Sequence, residues 1–534
     1  MLTAYPVLSL LPPLIAIALV ILTKKVLPSL GAGIIVSALL VANVNPLKAA
    51  SLIWDGIVGL VWADGGIAWD TVLIITFLLE LGVITSFVLM AGGTSAFSEW
   101  AAKRIRSRRG AQALGGILGM VIFIDDYFNA LAVGQVARPI TDRQRVSRAK
   151  LAYLIDSSSA PVVVLAPFSS WGASIIGIMA PLLAASALTL SQVEGFLLAA
   201  SMNYYAIGAL LLLWLTILLE IDFGAMRAEE RRAADGDGVM AEDDEAPGQL
   251  SDDLPSHDPG AMRALVVPFV VLVAGVIGGM YITGGLAAGA WGPVETLAEA
   301  DVTLALNIGG LIALGVALYY CLRYTSPNPE FTPGTRRGGA WEGAKSMMPA
   351  ILILMFAWVL AAMIEDLGTG AFLADVVHQL SVPAVWLVPI LFVVAGLMAF
   401  ATGTSWGSFG ILLPLAGEMM NAVQGGDDVL LAAFGAVLAG AVLGDHCSPI
   451  SDTTILSSTG AACSVPTHVR TQLPYAITGA IAALAGYVVF ALTENGIVGL
   501  VVTLVGVTLV AFVVRRILPV IRIPIRHRRY EAKA

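Results

Sequence analysis

Gly444-Asp445-His446-Cys447-Ser448-Pro449-Ile450-Ser451-Asp452-Thr453-Thr454 sets two carboxylates and a run of hydroxyls between apolar stretches long enough to enter a bilayer. Ionisable groups at membrane depth are costly and persist where they face a cavity or an ion path. A helix entering this stretch should break before Pro449, because proline has no amide hydrogen and clashes with the preceding turn. A broken helix leaves carbonyls and amides without partners, which suits a cation and its carboxylate ligand. Capping is the competing reading, since an Asp-Ser cluster also starts a helix.

The rest of the chain agrees with a membrane setting. Hydrophobic residues make up 58% of 534 positions and mean hydropathy is +0.86, beyond what a water-soluble globular domain carries. The first apolar window runs into Lys24 and Lys25 without a small-residue cleavage site, and so reads as a span and not as a removed signal peptide. Three scattered cysteines, Cys321, Cys447 and Cys463, have neither disulfide nor metal-ligand spacing. The net charge of −9 is concentrated: residues 220–258 hold thirteen Asp and Glu against three Arg. That acidic stretch reads as a solvated linker dividing the protein in two.

Basic clusters mark the cytoplasmic side. Two of them, Lys103 to Arg109 and Arg138 to Lys150, flank one apolar segment, 111–137. A through-going helix would put one cluster outside, whereas a re-entrant hairpin turning at Asp125-Asp126 keeps both inside. Arms of about 13 residues reach only ~20 Å, near the mid-membrane, where irregular backbone is tolerated beside a cavity. The remaining spans are expected at 5–23, 27–44, 70–92, 150–172, 193–220, 263–284, 302–322, 346–365, 428–460 (with a break), 473–492 and 497–514. That is about eleven crossings of a bilayer, with the N-terminus outside and the C-terminus inside.

A repeat runs through the chain. An offset of 275 aligns Gly93-Thr94-Ser95-Ala96-Phe97 with Gly368-Thr369-Gly370-Ala371-Phe372 and Pro139 with Pro414. Asp156-Ser157-Ser158-Ser159-Ala160-Pro161 corresponds to Asp445 to Pro449, with Ser169-Ser170 and Ser457-Ser458 eight residues past each proline. Five crossings per half force the halves into opposite orientations. A second hairpin, 388–420 with Thr402-Gly403-Thr404-Ser405 at its tip, then opens outward. The expected architecture is an all-α polytopic membrane protein of two inverted repeats, each with a re-entrant hairpin and a broken helix. Its parts are residues 1–220 (first repeat), 221–262 (acidic cytoplasmic linker), 263–492 (second repeat) and 493–534 (final helix and basic tail).

At Phe123-Ile124-Asp125-Asp126-Tyr127-Phe128-Asn129, Ser147 to Tyr153, Asp156 to Trp171 and Gly444 to Ser458 the sequence resembles the NhaC family of sodium/proton antiporters. The resemblance implies coupled exchange of cytoplasmic sodium for external protons in a prokaryotic plasma membrane. Relatives in that family look able to exchange organic acids or amino acids, which is the alternative.

The candidate cation- and proton-binding residues follow from both readings. Asp156 and Asp445 sit at the two breaks, with hydroxyls from Ser157, Ser158, Ser448, Ser451 and Thr453 beside them. A hard cation such as sodium wants several oxygen ligands. Asp125 and Asp126 point about 100° apart on a helix, and Asn129 shares a face with Asp126. Thr402, Thr404 and Ser405 occupy the outward tip. Asp452 is a proton carrier or a partner to Asp445. His446 and Glu80, the latter mid-span in 70–92, are weaker candidates. No Lys or Arg falls mid-span to bind an anion, which favours a cation, or a substrate held by half-helix N-termini. An intramembrane aspartyl protease or a channel would explain the paired hydroxyl-rich clusters less well, so no enzyme activity is expected. No cofactor is expected beyond the transported sodium and protons. The partners are the lipid bilayer and these ions, not nucleic acid, and a homodimer is left open.

Overall fold

A computed structural model describes residues 6–23, 25–63, 65–123, 126–167, 169–241, 254–292, 296, 299–369, 372, 383–422, 426 and 429–521. Apart from a two-residue β-hairpin, Trp62–Ala63 with Gly66–Ile67, and a short 3-10 turn at Pro6–Leu10, its regular elements are α-helices. A lipid interior explains this, because a helix satisfies its own backbone hydrogen bonds where no water can.

The first half contains α1 (Leu11–Thr23), α2 (Val26–Val41), α3 (Pro46–Gly59), α4 (Trp69–Met90), α5 (Gly93–Arg104), α6 (Arg108–Val121) and α7 (Asp126–Arg143). It continues with α8 (Arg148–Asp156), the single turn α9 (Ala160–Val163), α10 (Ser170–Ala184), α11 (Gln192–Ser201), α12 (Tyr204–Leu219) and α13 (Gly224–Asp235). The second half contains α14 (Arg263–Ala288), α15 (Val302–Thr325), α16 (Pro333–Ser346), α17 (Met348–Asp366), α18 (Ala384–Thr402), α19 (Ser405–Ala422), α20 (Leu430–Cys447), α21 (Asp452–Ala461), α22 (Val465–Thr493) and α23 (Gly496–Ile517).

Helix pairs and helix interruptions fall at the expected positions, though the Asp125 half of the first expected turn lies outside the described residues. Helices α6 and α7 pack against each other, as do α18 and α19. The second hairpin turns at Gly403, whose φ of 74° is the left-handed conformation that glycine adopts without a side-chain clash. The first broken helix stops with α8 at Asp156, makes the single turn α9 and resumes at α10, where the Ser169 hydroxyl caps Gly172 N. The second stops at Cys447 and resumes at α21, where Ser451 caps Thr454 N.

The span count differs from the expected eleven. Among the described residues nine helices are long and apolar enough to cross a membrane, and Ala384–Thr402, an arm of the second hairpin, is one of them. The segments read as 5–23 and 27–44 fold as helices of 13 and 16 residues. The segment 150–172 is divided by its break, and 193–220 is divided at Asn203, whose side chain caps α12 by accepting from Ala206 N. Hydropathy alone cannot see such interruptions when the breaking residues are small.

The packing is crossed between halves. Helix α4 lies on α15 and α16 of the second half, and α17 lies on α2 and α3 of the first. Around the breaks, α7 packs on α8 and α21, while α19 packs on α20 and α10. The α7–α21 approach is set by Gly134 against Gly460, where a Cβ on Gly134 would run into the opposing backbone. Small residues allow this backbone contact between membrane helices.

The stretch read as a plain acidic linker opens with an ordered helix. Helix α13 is docked: Glu230 pairs with Arg108 at the foot of the first hairpin and accepts from Ser147 N at 2.7 Å. Fully buried Lys150 meets Asp222 at 2.9 Å, and Arg470 of α22 reaches Glu229 at 3.3 Å. Further along, His257 N donates to Met90 O at 2.9 Å and Ser256 Oγ to Leu89 O at 3.0 Å, fastening the linker's far end to α4.

Candidate functional site

Asp445 ends up in a cage of hydroxyls. Ser405, first residue of α19 at the hairpin tip, donates to its Oδ2 at 2.8 Å. Ser451 donates to Oδ1, and Thr453 approaches the same oxygen at 3.3 Å. Two elements, the start of α19 and the start of α21, therefore converge on one carboxylate that is 1% exposed. Taking a carboxylate out of water costs several kcal/mol, and hydrogen bonds to a charged group recover about 1.5–3 kcal/mol each, so three of them make the buried group tenable. Capping is not the role of Asp445, because Ser451 caps α21.

Asp156, at the end of α8, has a different set of partners. Gln472 Nε2 donates to its Oδ2 at 2.5 Å and His468 Nε2 lies 3.1 Å from the same oxygen. Thr454 and Ser457 of α21 approach at 3.5 and 3.3 Å. The two breaks also touch directly: Ser157 Oγ is 2.9 Å from His446 Nε2, and Tyr205 OH is 2.7 Å from His446 Nδ1. Both ring nitrogens of His446 are thus engaged.

The described end of the first hairpin meets the same region. Trp171 Nε1 donates to Asp126 Oδ1 at 3.0 Å, and Ser159 donates to the Asp126 carbonyl at 2.8 Å. Tyr127 hydrogen-bonds Asp452 Oδ2, while Thr453 N donates to Asp452 Oδ1 at 2.8 Å. Asn129 closes the hairpin by donating to Gly119 O at 2.6 Å and Ile122 O at 2.7 Å. Its amide oxygen is buried without a hydrogen-bond partner, as are Gln472 Oε1 and Ser458 Oγ. Spare buried oxygens are costly unless something electropositive visits them.

Asp126, Asn129, Asp156, Ser157, Ser405, His446, Asp445, Ser451, Asp452 and Thr453 are thus brought into one connected region. The hydroxyls of Ser158, Ser448 and Thr402 bond main-chain carbonyls instead, Leu154 O, Phe400 O and Met398 O. Thr404 accepts from Trp406 N at 3.3 Å at the start of α19. Glu80 lies elsewhere, on α4 against Gly310 of α15, its carboxylate oxygens buried without a hydrogen-bond partner. Asp125 lies outside the described residues. Sequence reasoning passed over His468 and Gln472, which are spaced i, i+4 on one face of α22 but stand among Thr467, Arg470 and Thr471.

Among the described residues no group of three or more His, Cys, Asp or Glu is arranged to hold a metal ion. What the region offers is hydroxyl and amide oxygens around single carboxylates. None of the hydrogen-bond partners of Asp156, Asp445 or Asp452 named above is Lys or Arg.

A model of the Na+/H+ antiporter family matches residues 162–492, a range that contains Ser405, Asp445 to Thr454, His468 and Gln472. An uncharacterized protein of Haemophilus influenzae is 41% identical over 515 residues, 95% of each chain. A malate-2H(+)/Na(+)-lactate antiporter of Bacillus subtilis is 32% identical over 155 residues, 27% of this chain and 31% of that protein. An uncharacterized Na(+)/H(+) antiporter of Haemophilus influenzae is 34% identical over 154 residues, 29% of this chain and 32% of that one. The chain is a multi-pass membrane protein and belongs to the Na+/H+ antiporter family, of the NhaC type that its helix-break motifs resemble.

Proposed function

We propose that the protein is a secondary transporter, not an enzyme, that exchanges cytoplasmic sodium for external protons. The observation that carries this reading is the Asp445 cage, in which Ser405, Ser451 and Thr453 present hydroxyl oxygens to one buried carboxylate. A dehydrated sodium ion entering there takes the carboxylate oxygens and turns the hydroxyl lone pairs inward, and a proton on the same carboxylate blocks it. Cation and proton then compete for one site, which is the minimum that exchange requires. Asp452, tied to Tyr127, and Asp156 complete the set of titrating groups.

The crossed packing of the halves, with the same order of helices, hairpin and broken helix in each, supports two inverted repeats within 1–220 and 263–492. The N-terminus is placed outside and the C-terminus in the cytoplasm of a prokaryotic plasma membrane, from the basic clusters. Short similarity to a malate/lactate antiporter supports a second reading, exchange of an organic anion. The absence of Lys and Arg from the named partners of the three carboxylates weighs against it.

Purified full-length protein in vesicles with an internal pH dye decides between them. Sodium added outside should drive protons out of the vesicles without any organic substrate. Proton movement that requires malate, lactate or an amino acid would replace the cation reading with the second one.

A further inference from the structure

We propose that Gln472 is a positioning residue that locks the two helix breaks together, so that a change at one is felt at the other. Its side chain is fully buried on α22, outside both broken helices and both hairpins. One amide nitrogen serves two acceptors: Asp156 Oδ2 at 2.5 Å and the main-chain carbonyl of His446 at 2.7 Å. That carbonyl lies in the last turn of α20, where the backbone ladder runs out and a carbonyl needs an outside donor. It also belongs to the residue next to Asp445. Any shift of the α20 terminus when the Asp445 cage changes its occupant therefore pulls on the NH2 group that holds Asp156.

The direct links between the breaks are weaker or belong to the breaks themselves. Thr454 and Ser457 stand 3.5 and 3.3 Å from Asp156, and the Ser157–His446 contact joins two residues that shift with their own helices. Gln472 instead projects from α22, a 29-residue helix that belongs to neither break and runs on past Pro474. Its neighbour on the same face, His468, adds a second contact to Asp156 Oδ2 at 3.1 Å and none to the other break among those described. Gln472 is the member of the pair that spans both.

Coupling of this kind is demonstrated only by a measured interaction between sites. The test uses full-length protein in detergent, and its readout is the melting temperature. Asp156→Asn and Asp445→Asn should be non-additive in the wild-type background. In Gln472→Met, which keeps the side-chain volume and removes both donors, the non-additivity should fall by half or more. Gln472→Asn, too short to reach both acceptors but still polar, should give the same result, which guards against misfolding of the Met variant. Non-additivity unchanged in both variants, or additivity already in the wild type, overturns the proposal whatever the protein transports.

The consequence for transport rests on the antiport reading and has its own readout. In vesicles, wild-type proton flux should reverse at a fixed ratio of sodium to proton gradients. Gln472→Met should still move ions but leak, shifting the reversal ratio at least twofold, whereas a residue that only supported the fold would slow the flux and leave that ratio in place. Absence of sodium-driven proton flux in the wild type overturns the antiport reading, and the melting measurement still decides on Gln472.

Discussion

Two carboxylates that look alike in the sequence differ in the chemistry around them. Asp445 is held by three hydroxyls, groups that can turn a lone pair toward a cation, whereas Asp156 is held chiefly by nitrogen donors from Gln472 and His468. Asp445→Asn should abolish sodium-driven proton flux, more than about 100-fold, while the purified protein melts as sharply as the wild type, because the neutral amide keeps the shape but not the exchangeable proton. Ser405→Ala removes one of the oxygens that would face a dehydrated cation beside Asp445 and should raise the sodium KM by roughly tenfold, the equivalent of about 1.4 kcal/mol, with a smaller effect on the maximal rate. An unchanged KM would remove the hairpin tip from the cation site. The carboxylates themselves were legible in the sequence because breaks at Asp-Ser-Pro clusters have few other uses in a membrane. His468 and Gln472 were not, because two polar residues on a helix that also carries Thr467 and Thr471 give no hint of which face meets the break.

At the level of elements, the first hairpin was readable from charge clusters flanking a segment too awkward to cross, and the second from its correspondence to the first in the repeat. Cysteines at Gly110 and Arg143 should both react with an impermeant reagent only from the cytoplasmic side, and reaction from opposite sides would end the hairpin assignment. Helix α13 was not readable, since acidic composition signals solvent and the buried partners Arg108 and Lys150 are far away in sequence. Removing one member of a buried ion pair leaves an unpaired buried charge and costs about 3–5 kcal/mol. Asp222→Ala should therefore lower the melting temperature markedly, whereas deletion of 242–253 should leave both stability and transport near wild type. Gly134→Val forces branched carbon into the α7–α21 contact and should destabilise by about 1–3 kcal/mol or more, read as an earlier thermal transition.

Across the whole molecule the helices fall into two groups. One consists of α1–α4 and α14–α17, and the other of the two hairpins, the broken helices, α12, α22 and α23. Between them α17 touches α21 and α18, α1 touches α18, and α5, which lies on α14 and α4, touches α7. A thin boundary between densely packed groups favours sliding of one against the other. A disulfide engineered between α17 and α21 in a background lacking Cys321, Cys447 and Cys463 should stop flux on oxidation and restore it on reduction. One between α14 and α15, inside a single group, should leave flux unaffected.

The crossing of α4 onto α15 and of α17 back onto α2 and α3 also dictates a schedule of manufacture. When α4 leaves the ribosome, the surface that will cover Glu80 lies some two hundred residues away in the unmade chain. At translation speeds of about 5–20 residues per second, α4 waits on the order of ten to forty seconds in the bilayer with a carboxyl group uncovered. The amino-terminal half should therefore be unstable without its partner, and the two halves made as separate polypeptides should be degraded alone and rescued together.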